Sequence, residues 1–128
     1  MTFKNSWYKY GKQKETEILP LLIEFFGSEI KAYDDKFSSH DFFDNNYDYE
    51  LKSRTVKKTQ FKDTLIAVNK ICGEKPLRLI FNFTDCICYI NYDKEKFDTY
   101  RKDYVRGEEK LHYMIPIEDL ETIKVWEK

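Results

Sequence analysis

Glu50-Leu51-Lys52 sets a carboxylate and an ammonium group two residues apart, just after the acidic and aromatic run Asp41-Phe42-Phe43-Asp44-Asn45-Asn46. The two stretches read as a β-hairpin turning at Asn45-Asn46, since Asn tolerates the positive φ that two-residue turns favour. That turn sets Asp41 opposite Glu50, with Lys52 two residues further along the same face. Like charges opposed across a strand pair destabilise it. At about 4–5 Å and an effective dielectric near ~20 the repulsion is roughly 3–4 kcal/mol before solvent relaxes it. A bound divalent cation converts such repulsion into coordination, and hard oxygen donors suit Mg²⁺ or Mn²⁺. The alternative is a solvated hairpin face of Asp, Glu and Lys.

The aromatic residues agree with that register. Phe42, Tyr47, Tyr49 and Leu51 alternate with the charged set, and a one-residue slip would put them among the carboxylates.

The elements that must position this hairpin follow from periodicity. Lys14 to Phe26 reads as a helix with Ile18, Leu19, Leu22, Phe25 and Phe26 on one face and Gly27 as terminator; Pro20 either starts it or kinks it. Trp7, Tyr8 and Tyr10 make the first ten residues aromatic enough to pack. Residues 29–34, 37–43 and 47–54 are strand candidates. Thr59 or Asp63 caps a second expected helix, ending near Gly73. Leu77 to Phe83 and Cys86 to Tyr92 form a hairpin around Thr84-Asp85. Phe97, Tyr100 and Tyr104 have helical spacing in a segment that Gly107 ends. His112 to Ile117 reads as a strand that Pro116 confines to an edge. Leu120, Ile123 and Trp126 close the chain as a short amphipathic helix or strand. The expected order is α-β-β-β-α-β-β with additions.

At 128 residues, with 41% hydrophobic and 17% aromatic content, the chain suits a single domain over 1–128 and argues against disorder. No apolar run approaches the ~20 residues of a membrane span and no signal peptide opens the chain, so no membrane partner is expected. Cys72, Cys86 and Cys88 form no paired framework and read as reduced thiols of an intracellular protein. Cys86 and Cys88 share a strand face, but with only His40 and His112 at no familiar zinc spacing they read as small buried hydrophobes. The net charge of −1 gives no global attraction to nucleic acid. Its distribution is more informative: an acidic block (Asp34, Asp35, Asp41, Asp44, Asp48, Glu50) precedes a basic one (Lys52, Arg54, Lys57, Lys58, Lys62). Together they suit a metal site beside a phosphate-contacting rim, or else a solvated loop.

The element order and the hairpin residues resemble the PD-(D/E)XK nuclease superfamily, the restriction-endonuclease-like fold. Asp41, Glu50-Leu51-Lys52 and Glu15 on the preceding helix fill its signature. The spacing from Gly11 and Glu15 is similar to the Holliday-junction-resolvase branch, and later segments resemble small viral or phage members. The usual Pro before the motif Asp is replaced by His40. Asp44 is an alternative motif residue, although the hairpin register puts it on the aromatic face; Asp48 is a candidate for outer contacts or a second metal.

The resemblance implies an α/β core, α-β-β-β-α-β, with a mixed central sheet flanked by helices and an added C-terminal hairpin and helix. It implies a Mg²⁺- or Mn²⁺-dependent deoxyribonuclease in which Asp41, Glu50 and the Leu51 carbonyl hold the metal. Lys52 orients or deprotonates the attacking water and stabilises the phosphoryl charge. Glu15 holds a second metal or its water, unless it is simply a helix-start carboxylate. Arg54, on the Lys52 face, suits paired bonds to phosphate, and Lys57 and Lys58 suit backbone clamps. Gln60 and Lys70 resemble polar residues that relatives carry after Glu-x-Lys; an ordinary surface role is the alternative for each. The partner is nucleic acid, DNA first, with a homodimer plausible and the cytoplasm or nucleus of a host cell as setting. The rival expectation is a catalytically inactive nucleic-acid-binding or protein-interaction module on the same fold.

Overall fold

The computed structural model describes residues 3–35, 38–105 and 109–126, with side chains from Tyr10 onward. Its first element is the helix α1, Phe3–Phe26. The helix begins well before Lys14 because Lys, Gln and Glu dominate residues 12–17 and only Gly11 interrupts the preceding turns. Trp7 and Tyr8 lie on this first part, and their side chains fall outside the described residues. Pro20 neither starts nor ends the helix but sits inside it, exposed. Its missing amide hydrogen costs about 3 kcal/mol, which burial of Ile18 and Leu22 on the opposite face offsets. Gly27 ends the helix at φ 66°, its N–H donating to the Ile23 carbonyl at 2.9 Å.

Among the described residues nine strands follow: β1 Lys31–Ala32, β2 Phe42–Phe43, β3 Asp48–Ser53, β4 Asp63–Ala67, β5 Leu77–Asn82, β6 Cys86–Asn91, β7 Lys102–Tyr104, β8 Leu111–Pro116 and β9 Glu121–Val125. The single-turn helix α2, Lys94–Phe97, separates β6 from β7. One sheet is mixed, ordered β1-β2-β3-β5-β6-β9, and a second is β4-β8-β7. β3 runs parallel to β5, while its hairpin partner β2 is antiparallel.

Alternation along the strands separates two cores. Tyr49, Leu51, Ile80 and Ile87 pack on Ile18 and Leu22 of α1. Leu79, Phe81 and Cys88 face the other way, toward Ile66, Tyr113 and Ile115 of the second sheet and Phe97 of α2. The molecule is a mixed α/β structure: helix, mixed sheet, small sheet.

Several expected elements take other forms. No second long helix spans Thr59 to Gly73. That segment is a 3₁₀ turn at Lys58–Gln60, strand β4, and another 3₁₀ turn at Val68–Lys70. Its apolar residues suit either period, and burial of Thr64 and Ile66 with half-burial between them shows that period two won. The helical spacing after Tyr92 yields only α2 and then β7, since Tyr100 is tied by its hydroxyl to Asp119; Gly107 lies outside the described residues. β8 is the middle strand of its sheet, not an edge. Pro116 is tolerated there as its last residue, opposite Asp63. The closing stretch takes the strand form of the expected helix or strand, as β9, and among the described residues the added C-terminal helix is replaced by the 3₁₀ turn at Ile117–Asp119. The Leu77–Asn82 and Cys86–Asn91 hairpin forms as expected.

The β2–β3 hairpin has the register that a two-residue turn requires, Phe42 opposite Tyr49 and Phe43 opposite Asp48. The turn is made differently from expectation, because neither Asn45 nor Asn46 has positive φ. Asp44 supplies the constraint: its Oδ1 accepts the N–H groups of Asn46 (2.8 Å) and Tyr47 (2.7 Å). Its Oδ2 accepts the hydroxyls of Tyr49 (2.6 Å) and Ser28 (2.9 Å). Arg78 completes the corner, donating to the Tyr49 hydroxyl and standing 3.7 Å from the Tyr47 ring centre and 4.1 Å from that of Phe26. Asp44→Ala removes four hydrogen bonds at once and is expected to lower stability by about 2–4 kcal/mol in urea unfolding, against under ~0.5 for Asn45→Ala at the exposed turn.

Candidate functional site

Just before β2, the Asp41 N–H donates to the carbonyl of Tyr49 at 3.0 Å, although Tyr49 is the register partner of Phe42, so Asp41 sits at the end of the ladder rather than paired with Glu50. The Asp41 carboxylate turns back over the partner strand and accepts the Leu51 N–H at 2.7 Å. From there it also meets Glu15, which α1 brings in from the opposite face. Glu50 and Lys52 point toward the second sheet, as Tyr49 and Leu51 point toward α1. The Leu51 carbonyl shares the direction of its N–H, along the edge of β3 past the end of β2. Asp41 thus lies within electrostatic reach of Glu15 on the α1 side and of Glu50 on the side of the second sheet, and Glu50 stands 3.5 Å from Lys52.

Their electrostatics are strained in one place and relieved in another. Asp41 is raised to about 7, first by burial and then by the negative charge of Glu50, with the Leu51 N–H pulling the other way and Glu15 adding to the rise. Glu50 is 3% exposed and compensated: its Oε1 is 3.3 Å from His40 Nδ1, and its Oε2 is 3.5 Å from Lys52 Nζ and 3.7 Å from Lys70 Nζ. The hydrogen bond to Glu50 raises His40 to about 9 against the opposing effect of burial, helped by a 3.0 Å bond from Nε2 to the Cys72 carbonyl. Both ring nitrogens are then donors at neutral pH, and His40 ties the Cys72 loop to the carboxylate.

His40 was missed as a participant by sequence reading, where it only replaced a proline; its signal was adjacency to Asp41. Lys70 comes to the site from a 3₁₀ turn rather than a helix. Glu15, Leu51 and Lys52 line one small groove of about 210 Å³ between α1 and β3. Glu15 also pairs with Lys12 at 3.3 Å.

The other candidates lie outside this cluster. Asp44 is held below the usual carboxylate range: burial pushes up, but bonds from Tyr49, Asn46, Tyr47 and Ser28 outweigh it, and its place is the turn. Asp48 is bonded by the Tyr33 hydroxyl, whose own pKa burial and that carboxylate raise to about 12. Arg54 donates through Nη2 to the Leu65 carbonyl and lies 5.7 Å from the Phe81 ring centre, so it joins β3 to β4. Lys57, Lys58 and Gln60 stand on the loop beyond β3, with Lys57 and Gln60 exposed. Cys86 and Cys88 are buried, and burial holds the Cys86 thiol up at about 12.

In kind, the donors fit a hard divalent cation. Asp41, against the Leu51 main chain, and the nearby Glu50 and Glu15 carry carboxylate oxygens of that kind. Among the described residues, no three His, Cys, Asp or Glu side chains are already gathered in a coordinating arrangement.

No protein-family model, curated protein or solved structure matches the chain. No helix of the described residues is long and apolar enough to cross a membrane.

The two shifted groups impose a direction on stability. A carboxyl raised from 3.8 to about 7 binds more protons folded than unfolded, so stability falls as pH rises through that window. A histidine raised from 6.5 to about 9 contributes stability fully present below 6.5 and lost as pH rises through 9. Asp41→Asn is therefore expected to raise the melting temperature by several degrees at pH 8 and hardly at pH 4. His40→Gln is expected to flatten the fall between pH 6.5 and 9. Melting curves across pH 4–9 check both.

Proposed function

We propose that this chain is a Mg²⁺- or Mn²⁺-dependent nuclease that hydrolyses phosphodiester bonds in DNA, serving recombination, repair or DNA processing, on a core of the PD-(D/E)XK kind. The observation that supports this reading is that Asp41 lies within electrostatic reach of both Glu50 and Glu15, with Lys52 3.5 Å from Glu50. The antiparallel β1–β2–β3 meander followed by β5 parallel to β3, with α1 on one face, supports it. The crossover between β3 and β5 departs from the resemblance, since β4 and two 3₁₀ turns replace its helix.

Asp41, Glu50 and the Leu51 carbonyl would hold the cation, with Glu15 reaching in from α1. When bound, such an ion neutralises phosphoryl oxygens and lowers the pKa of water. The chain's own groups do the rest. Lys52, partly exposed beside the groove, orients the attacking water and balances the charge that grows on the phosphoryl group. Lys70 adds a second ammonium group on the same side. His40 holds Glu50 from behind, leaving its outer oxygen toward the lysines. A homodimer, acting inside a cell, would supply the two sites that cutting both strands requires.

A second reading has its own observation. Glu50 is already matched by three cations, so the cluster is self-compensated as it stands. A binding module that never hydrolyses would look the same, and would show salt-sensitive DNA binding without turnover.

Labelled duplex, single-stranded and branched DNA incubated with Mg²⁺ or Mn²⁺ tests the choice. Glu50→Gln keeps the volume and avoids leaving His40 beside an empty space, and Lys52→Met keeps the stem. Each is expected to lower cleavage by about 10²–10⁴-fold with an unchanged circular dichroism spectrum. Cleavage equal to the parent in both variants would end the mechanism.

A further inference from the structure

The loop from Arg54 to β4 carries a feature that the cluster does not use. Lys57, Lys58 and Lys62 stand on it, and among the described residues none of the three has a carboxylate within salt-bridge distance. Phe61 stands among them with 62% of its surface exposed. Yet the backbone here is held firmly. The Lys58 N–H donates to Asp85 Oδ1 at 3.0 Å, the Thr84 N–H to the Val56 carbonyl at 3.0 Å, and the Ile117 N–H to the Lys62 carbonyl at 3.0 Å. An exposed ring on a pinned backbone, on a loop that also carries three lysines outside any salt bridge, is a prepared surface rather than a frayed one.

Beside it lies a groove of about 450 Å³, within the range of small-molecule sites. Phe83, Leu65 and Met114 give it apolar walls; Lys57, Lys58 and Lys62 stand on its lining, with one carboxylate, Asp63, among them. Such a site takes a ligand that is flat and apolar in one part and anionic in another. Arg54 forms one wall and is fixed there by its bond to the Leu65 carbonyl. It lies four residues beyond Glu50, just past the end of β3, about 13 Å at strand rise.

We propose that this groove binds an unpaired stretch of nucleic acid, with a base stacked on Phe61 against the apolar wall and flanking phosphates on Lys57, Lys58 and Lys62. The inference rests on the reading of the chain as acting on nucleic acid, and it names the substrate form: a single strand, or a duplex with a single-stranded flap, reaching the Glu50–Lys52 edge within a few nucleotides. Base stacking is indifferent to base identity, so the groove selects for unpaired strand rather than for sequence.

Binding is measured with the whole protein in EDTA, by fluorescence anisotropy of a labelled 20-mer of deoxythymidine, the same length of duplex, and an abasic 20-mer. The parent is expected to prefer the deoxythymidine 20-mer. Phe61→Ala should weaken that binding by about 5- to 150-fold and Phe61→Trp should restore it, with abasic binding unmoved. Lys57→Ala with Lys62→Ala should weaken all three probes and lower the slope of log affinity against log salt by about 1.4 for the single strands. Binding of the 20-mer that Phe61→Ala leaves unchanged, or that polyglutamate displaces as well as unlabelled 20-mer does, overturns the proposal. Because no divalent metal is present, failure of cleavage leaves this result standing, and failure here leaves the cleavage test standing.

Discussion

The pairing of β2 with β3 is the constraint on which the rest depends. Strand side chains alternate faces with a period of two, so a shift of one residue would carry Glu50 and Lys52 into the core under α1 and push Tyr49 outward. β2 is only two residues long and cannot secure its register by ladder bonds alone. Asp44 does so at the turn, through main-chain N–H groups and the Tyr49 hydroxyl, and Asp41 does so at the far end, through the Leu51 N–H. Two carboxylates thus bracket the short strand. One satisfies the turn and the other opens the site.

The site itself balances crowding against compensation. Asp41 is buried beside Glu50 and Glu15, which raises its carboxyl, while Glu50 is faced by His40, Lys52 and Lys70. Such an arrangement spends stability on geometry, because an apolar edge would fold more readily than one that buries Asp41 near a second carboxylate. The second sheet matters here as more than a cover. Its first strand is followed by the 3₁₀ turn that brings Lys70, and the loop after that turn supplies the Cys72 carbonyl to His40. The crossover from β3 to β5 therefore contributes chemistry as well as connection.

Much of this was legible in the residues. The hairpin, its register, the apolar face of α1 and the Leu77–Asn91 hairpin follow from local alternation and turn chemistry, which act over a few residues. The direct opposition of Asp41 and Glu50 that the same arithmetic predicts is not in the register, which stops at Phe42 and Tyr49, because the Asp41 N–H turns to the Tyr49 carbonyl. The segment from Thr59 to Gly73 was not legible either, because a short run of Leu, Ile and Val fits a helix face and a strand equally well. Which form it takes depends on whether β8 is there to pair with it. Likewise Pro116 looked like an edge marker, and its place as the last residue of a central strand could be known only from the partner on each side.

What the chain determined by itself was the pattern: which side chains share a face and where the turns fall. Tertiary structure alone decided that Glu15 would reach Asp41 from across the sheet, that His40 and Lys70 would close on Glu50, and that Arg54 would be drawn to the Leu65 carbonyl. The physical reason is range. Alternation and turn propensity are settled between near neighbours, whereas burial and charge compensation depend on every element that packs against a group, however far away in sequence it begins.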